Sequence, residues 1–144
     1  MATDRTASVT WRGSLMDGSG TIDAVGSGAF GPLDVSWPAR TEAPDGRTSP
    51  EELIAAAWAS CFSMALSHGL AQAGSAPERL DTSATVTFQP GEGIVKGHLA
   101  VRGTVPGLDE AAFREQAEAA KANCPVSKAL AGIPDVTVDA ALSG

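Results

Sequence analysis

The residue types that can carry chemistry in this chain are few. Cys61 and Cys124 are its only thiols, and His68 and His98 its only imidazoles. A tetrahedral zinc site of two cysteines and two histidines would consume all four, and their spacing matches no finger or ribbon pattern. A cysteine–histidine ion pair within one helix fares no better, because His68 falls two turns beyond Cys61, about 10 Å along the axis. Neither a metal nor a cofactor is called for, and thiol chemistry remains. Cys61 stands in an apolar run, where a cysteine serves either as a small buried hydrophobe or as a nucleophile. Cys124 directly precedes Pro125. There it either packs at a helix junction or feels the positive end of the following helix, which lowers a thiol pKa. Should the two meet in space, they can cycle between dithiol and disulfide. Arg40 is either a solvated loop charge or a planar, permanent donor that holds a thiolate or a peroxide oxygen. Glu51 suits the first turn of a helix, where an acid is favourable with the dipole.

The elements that must position these residues follow from periodicity and punctuation. Short strands are expected over 8–11, 21–25 and 30–37, the last ended by Pro38, with a polar loop over 40–47. Ser49-Pro50-Glu51-Glu52 then reads as a capping box with proline at the first helical position. The helix it opens runs to about Ala73, closed by Gly74. Residues 53–66 contain no charge. A helix apolar all round is a buried helix, so either a sheet wraps it or a second subunit covers it. Alternating residues over 81–89 and 94–105, around the turn Pro90-Gly91-Glu92-Gly93, form an antiparallel hairpin. Asp109 caps a second helix over 110–123 with Phe113, Ala117, Ala120 and Cys124 on one face. A short helix over 125–130 and a last strand over 136–142 complete the chain. The order implies one α+β domain over 1–144, with mostly antiparallel sheets around a long buried central helix and an obligate dimer.

The 144 residues suit one core, and 43% apolar with 19% charged residues is ordinary for a globular chain. A formal net charge of −7 repels phosphate backbones, so nucleic acid is not an expected partner. No apolar run is expected to reach the length of a membrane span. The first residues lack an export pattern, so the expected compartment is the cytoplasm, where a disulfide is more often catalytic than structural.

Two runs carry a family signal. Thr48-Ser-Pro-Glu-Glu-Leu-Ile-Ala-Ala-Ala-Trp-Ala-Ser-Cys-Phe-Ser-Met-Ala-Leu66 and Lys121-Ala-Asn-Cys-Pro-Val-Ser-Lys-Ala-Leu130 strongly resemble, in order and separation, the OsmC family and its close kin, the organic hydroperoxide resistance (Ohr) proteins. The resemblance implies an intertwined homodimer with two active sites at its interface. It implies that Cys61 is the peroxidatic thiolate and Cys124 its resolving partner, and that Arg40 and Glu51 are the arginine–glutamate pair beside the thiolate, with Arg47 as a competitor for Arg40. It further implies organic hydroperoxides as substrates and dithiols, the lipoyl type among them, as reductants. Trp58 departs from the histidine of many members, which bears on substrate shape or access. Trp58, Phe62 and Met64 are candidates for an apolar lining that favours an alkyl or aryl hydroperoxide, and equally for core. Glu51 lies about 15 Å from Cys61 along their shared helix, so each site is expected to take its cysteines from one chain and Arg40 with Glu51 from the other. Two other classes compete: an OsmC-like small-molecule binding protein without catalysis, and a non-enzymatic protein with a structural disulfide.

Overall fold

The computed structural model describes residues 1–143. They fall into two compact units, Met1–Pro50 and a second that begins at Glu51. The first is built on an antiparallel sheet in the order β1 (Ala7–Arg12), β2 (Ser19–Val25), β3 (Leu33–Val35). Ile22 is its one buried large apolar residue, whereas Val9, Trp11, Leu15, Met16 and Phe30 are exposed.

The strand expected over 30–37 shortens to β3, and Pro38 does not end it. Instead Pro38 lies in the first turn of a short helix, α1 (Trp37–Thr41), whose N-cap is Ser36. The Ser36 hydroxyl accepts from the Ala39 N–H at 3.2 Å. Proline is tolerated at that position because its missing N–H would have no partner there. Arg40, expected in a loop, is therefore in the last turn of α1.

The second unit takes all but the first residue of α2 (Pro50–Gln72), followed by β4 (Arg79–Gln89), β5 (Gly93–Thr104), α3 (Glu110–Asn123), α4 (Pro125–Ala129) and β6 (Asp135–Leu142). The hairpin β4–β5 is antiparallel as expected. β6 pairs with β5 in parallel, from Lys96↔Asp135 to Gly103↔Leu142. The reason is topological: α3 and α4 form a crossover, which returns the chain in the direction of β5.

α2 is less buried than its composition suggests. Trp58, Phe62, Leu66 and Leu70 are fully buried. Their spacing of four residues puts them on one stripe. Met64, by contrast, is 73% exposed. The expectation of all-round burial is thus met on one face only within a single chain. The expectation that no run is long enough to span a bilayer also needs correction. α2 has 23 residues and is, by length and composition, apolar enough to cross one. Here its apolar stripe forms the core of the second unit.

Two glycines on β5 let aromatic rings reach the sheet. A Cβ on Gly97 would lie 2.7 and 2.8 Å from carbons of the Trp58 ring, and one on Gly103 would lie 2.6 and 2.8 Å from carbons of Phe113. Trp58 of α2 and Phe113 of α3 are thereby seated on the same strand, flanking the buried Leu99 and Val101. Burying each such side chain stabilises the fold by roughly 1.5–3 kcal/mol. α3 begins as expected at Asp109, whose carboxylate accepts from the Ala112 N–H at 2.8 Å. Its Glu110 carboxylate accepts from the Leu142 N–H of β6 at 3.2 Å.

Candidate active site

The Cys-Pro step decides the geometry of one thiol. A proline disfavours helical conformation in the residue before it, and Cys124 has φ −57° and ψ 124°. That backbone ends α3, where the Cys124 N–H donates to the Ala120 carbonyl at 2.9 Å, and starts α4, where the Cys124 carbonyl accepts from the Lys128 N–H at 3.0 Å. Cys124 is thus both the last residue of one helix cap and the first of the next. Its side chain is fully buried. Cys61 comes from the middle of α2, packed against the same core and partly exposed.

The two thiols are reduced, and they meet. The Cys61 S–H donates a hydrogen bond to the Cys124 sulfur. Burial pushes the Cys61 thiol up, its hydrogen bond to Cys124 adds to this, and the Val126 N–H opposes it. Burial also acts to raise Cys124. It is outweighed by hydrogen bonds from Cys61, from the backbone N–H and the hydroxyl of Ser127, and from the Val126 N–H, so Cys124 ends below the ordinary thiol range. Of the two sulfurs, Cys124 is therefore the one that loses its proton more readily. An accessible sulfur beside a buried one, within hydrogen-bonding contact, is a pair that can close to a disulfide.

Trp58 is not where an access residue would be. It is fully buried, and its indole N–H donates to the Ser127 hydroxyl at 2.8 Å. The expected apolar lining is likewise revised. Trp58 and Phe62 belong to the core, and only the exposed Met64 remains free of it, one helical turn beyond Cys61. Ser127 drew no notice in the sequence. The available signal was its place three residues after Cys124 across a helix start, the separation at which a side chain commonly meets a backbone or side chain of the first turn.

Arg40 belongs to the first unit, half-buried, with its guanidinium 5.8 Å above the centre of the Trp37 ring. Arg47 is exposed, at the turn where its N–H donates to the Pro44 carbonyl at 3.0 Å. Glu51 is 6% exposed in the first turn of α2, about 15 Å along the axis from Cys61. Hence the chain itself brings Cys61 and Cys124 together but keeps Glu51 apart from them. Among the described residues no cluster of three His, Cys, Asp or Glu side chains is placed to hold a metal ion.

Residues 43–139 match the family model described as OsmC-like protein. The chain belongs to the OsmC family. It is 40% identical over 132 residues to a protein named peroxiredoxin OsmC from Escherichia coli (strain K12), covering 90% of each chain. Among solved structures, this OsmC-like chain resembles the organic hydroperoxide resistance protein OhrB of Bacillus subtilis, with a TM-score of 0.64 and 29% identity, covering 96% of this chain and 98% of that one. It also resembles an OsmC organic hydroperoxide resistance protein from Legionella pneumophila, with a TM-score of 0.65 and 26% identity, covering 96% and 97%. The α+β fold of two small sheets and helices is the fold of these proteins.

Proposed function

We propose that this OsmC-like protein is a thiol-dependent peroxidase that reduces organic hydroperoxides, with Cys61 attacking and Cys124 resolving. The observation that carries the reading is the hydrogen-bonded pair itself: a partly exposed Cys61 against a fully buried Cys124. A peroxide has to reach the attacking sulfur, and exposure favours Cys61 for that role. The names of the relatives, a peroxiredoxin at 40% identity and organic hydroperoxide resistance proteins at 26–29%, support a peroxide substrate.

In the proposed cycle the Cys61 proton passes to the Cys124 sulfur. The Cys61 thiolate attacks one peroxide oxygen, the O–O bond breaks, and the alkoxide leaves as an alcohol with the proton from Cys124. The Cys124 thiolate then attacks the Cys61 sulfenic acid, forming the disulfide and releasing hydroxide, which becomes water. A dithiol reduces the disulfide by exchange and is itself oxidised. A cytoplasm-like, thiol-reducing compartment suits this cycle.

The cycle needs Cys61 deprotonated, and within one chain its thiol is raised. A nearby guanidinium has the opposite effect. We assign this task to Arg40, oriented by Glu51, both from the second chain of a homodimer. Two features support the dimer. The sheet β1–β2–β3 exposes Val9 and Trp11, and α2 leaves Met64 and the small residues Ala56 and Ala57 uncovered. An antiparallel pair of α2 helices would place the start of one beside the middle of the other.

The test is steady-state oxidation of a lipoyl-type dithiol in the presence of an alkyl hydroperoxide. Wild type turns over, Cys61→Ser does not, and Cys124→Ser consumes one equivalent and stops at the sulfenic acid. Full turnover by Cys61→Ser would overturn the roles. Catalytic efficiency is expected to be about tenfold higher with the alkyl hydroperoxide than with hydrogen peroxide, a difference of about 1.4 kcal/mol. Equal efficiencies would remove the preference for organic substrates.

A further inference from the structure

A cleft of about 420 Å³ opens between the end of α3, α4 and the segment that leads into β6, and neither cysteine lines it. That volume falls in the range of small-molecule sites, about 300–1,000 Å³. Its floor is apolar for a reason fixed on β5. Gly97 has no side chain, and a Cβ there would lie 2.7 Å from a carbon of the Trp58 ring and 3.7 Å from Ile133 Cδ1. The two side chains therefore meet over one glycine, Trp58 fully buried and Ile133 8% exposed. The indole N–H is already bonded to the Ser127 hydroxyl at 2.8 Å, so the ring offers the cleft only carbon. Leu130, Pro134 and Val136 continue the apolar surface along the walls.

The rim has the opposite character. Lys121 from the last turn of α3 and Lys128 from the last turn of α4 both line the cleft. Among the described residues no aspartate or glutamate lines it, although the chain has 17 acidic residues against 10 lysines and arginines. The local charge is thus inverted relative to the whole chain. A cation in a last turn is favourable with its helix dipole wherever it points. The dipole does not explain why the lysines of two helices converge on one apolar cleft. The Lys121 side chain is 27% exposed, so most of its stem lies against protein. Its ammonium is 3.1 Å from the Glu118 carboxylate, which is 60% exposed, and a pair so open to water is readily exchanged for another carboxylate.

We propose that this cleft binds a small amphiphilic carboxylate, a straight-chain alkanoate of medium length, with its chain against Trp58 and Ile133 and its carboxylate between Lys121 and Lys128. The site is separate from the thiol pair and does not rest on the peroxidase reading. The chain removes apolar floor from water, and two ammonium groups at the rim meet the charge as it loses part of its hydration. An alcohol of the same length supplies the chain without the charge, and an alkylammonium supplies the wrong charge.

Isothermal titration of the full chain with hexanoate, octanoate and decanoate tests this. Octanoate is expected to bind one molecule per chain, about tenfold more tightly than hexanoate for its two additional methylenes. Octanol is expected to bind more weakly than octanoate, and octylammonium not to bind. Lys121→Gln and Lys128→Gln are each expected to weaken octanoate about three- to fivefold and to leave octanol unchanged. Ala131→Phe, which fills the cleft, is expected to abolish binding of both. Alkylation of Cys61 with iodoacetamide and the Met64→Lys substitution on the exposed face of α2 are expected to change nothing. Circular dichroism verifies folding, and the two lysine variants carry the test if Ala131→Phe does not fold. The proposal is overturned by the absence of saturable octanoate binding, by affinity independent of chain length, or by full affinity in both lysine variants. Loss of binding on alkylation or in Met64→Lys would overturn it too, by placing the ligand at the thiols or on α2.

Discussion

Adding one methyl group at Gly97 tests the packing that holds the thiol pair in place. The Cβ of Gly97→Ala would stand 2.7 and 2.8 Å from two carbons of the Trp58 ring. Real carbons do not approach so closely, so the indole must move. It is fully buried, and the overpacking it meets costs roughly 1–3 kcal/mol. Displacing the ring also weakens its 2.8 Å hydrogen bond to Ser127, worth about 1 kcal/mol. Against this, alanine is better than glycine in a strand by roughly 0.5–1 kcal/mol. The net expectation is a loss of about 1–3 kcal/mol. At about 2–4 °C per kcal/mol for a chain near this size, the midpoint of thermal unfolding should fall by several degrees. Urea unfolding measures the free energy directly. Gly132→Ala is the control, because a Cβ there meets nothing within 4 Å. Combining Gly97→Ala with Trp58→Phe should recover about 1 kcal/mol or more relative to additivity, since the smaller ring vacates the clash. Wild-type stability for Gly97→Ala, or simple additivity with Trp58→Phe, would refute the claim that the ring is seated on this glycine.

Four further outcomes are expected. Thiolate absorbance against pH should rise in two steps, one below the ordinary thiol range as Cys124 loses its proton and one above it as Cys61 does; a single step carrying both thiolates would show that neither sulfur loses its proton ahead of the other. Because the folded-state value of Cys124 is depressed, its contribution to stability is present above the ordinary thiol value and is lost as pH falls through the folded value, and the Ser127→Ala variant should show a smaller loss over that window in pH-dependent urea unfolding. Asp109→Ala removes the 2.8 Å cap on the Ala112 N–H and should cost about 1 kcal/mol in the same assay, with Asp109→Asn largely restoring it. Finally, mixing inactive Cys61→Ser subunits with inactive Arg40→Ala subunits should return part of the peroxidase activity once subunits exchange, because a mixed dimer then holds one site with both lesions and one with neither; no recovery in verified heterodimers would show that each chain builds its own site.

Much of the local structure was legible because it is decided by neighbours in sequence. Asp109 three residues ahead of Ala112 dictates a cap, and α3 starts there. Pro125 forbids a helical Cys124, so the break between α3 and α4 is written in two residues. The run over residues 53–66 announces a long helix, and α2 is that helix. The short α1 was misread because Pro38 is compatible both with a strand end and with a first helical turn, and only Ser36 acting as a cap separates them. The direction of β6 was not legible at all, since alternation along a strand is the same for either sense of pairing, and the crossover that fixes it is a property of the whole chain.

The site divides in the same way. Sequence alone determined which groups are available: two thiols, the helix that carries one, and the proline step that fixes the backbone of the other. It could not determine that Cys61 and Cys124 meet, because their contact depends on α2 and the α3–α4 junction packing on one core, with Trp58 admitted by a glycine on β5. The roles of the two thiols came with the family resemblance, but which sulfur is partly exposed and which is fully buried is decided by tertiary packing rather than by spacing along the chain.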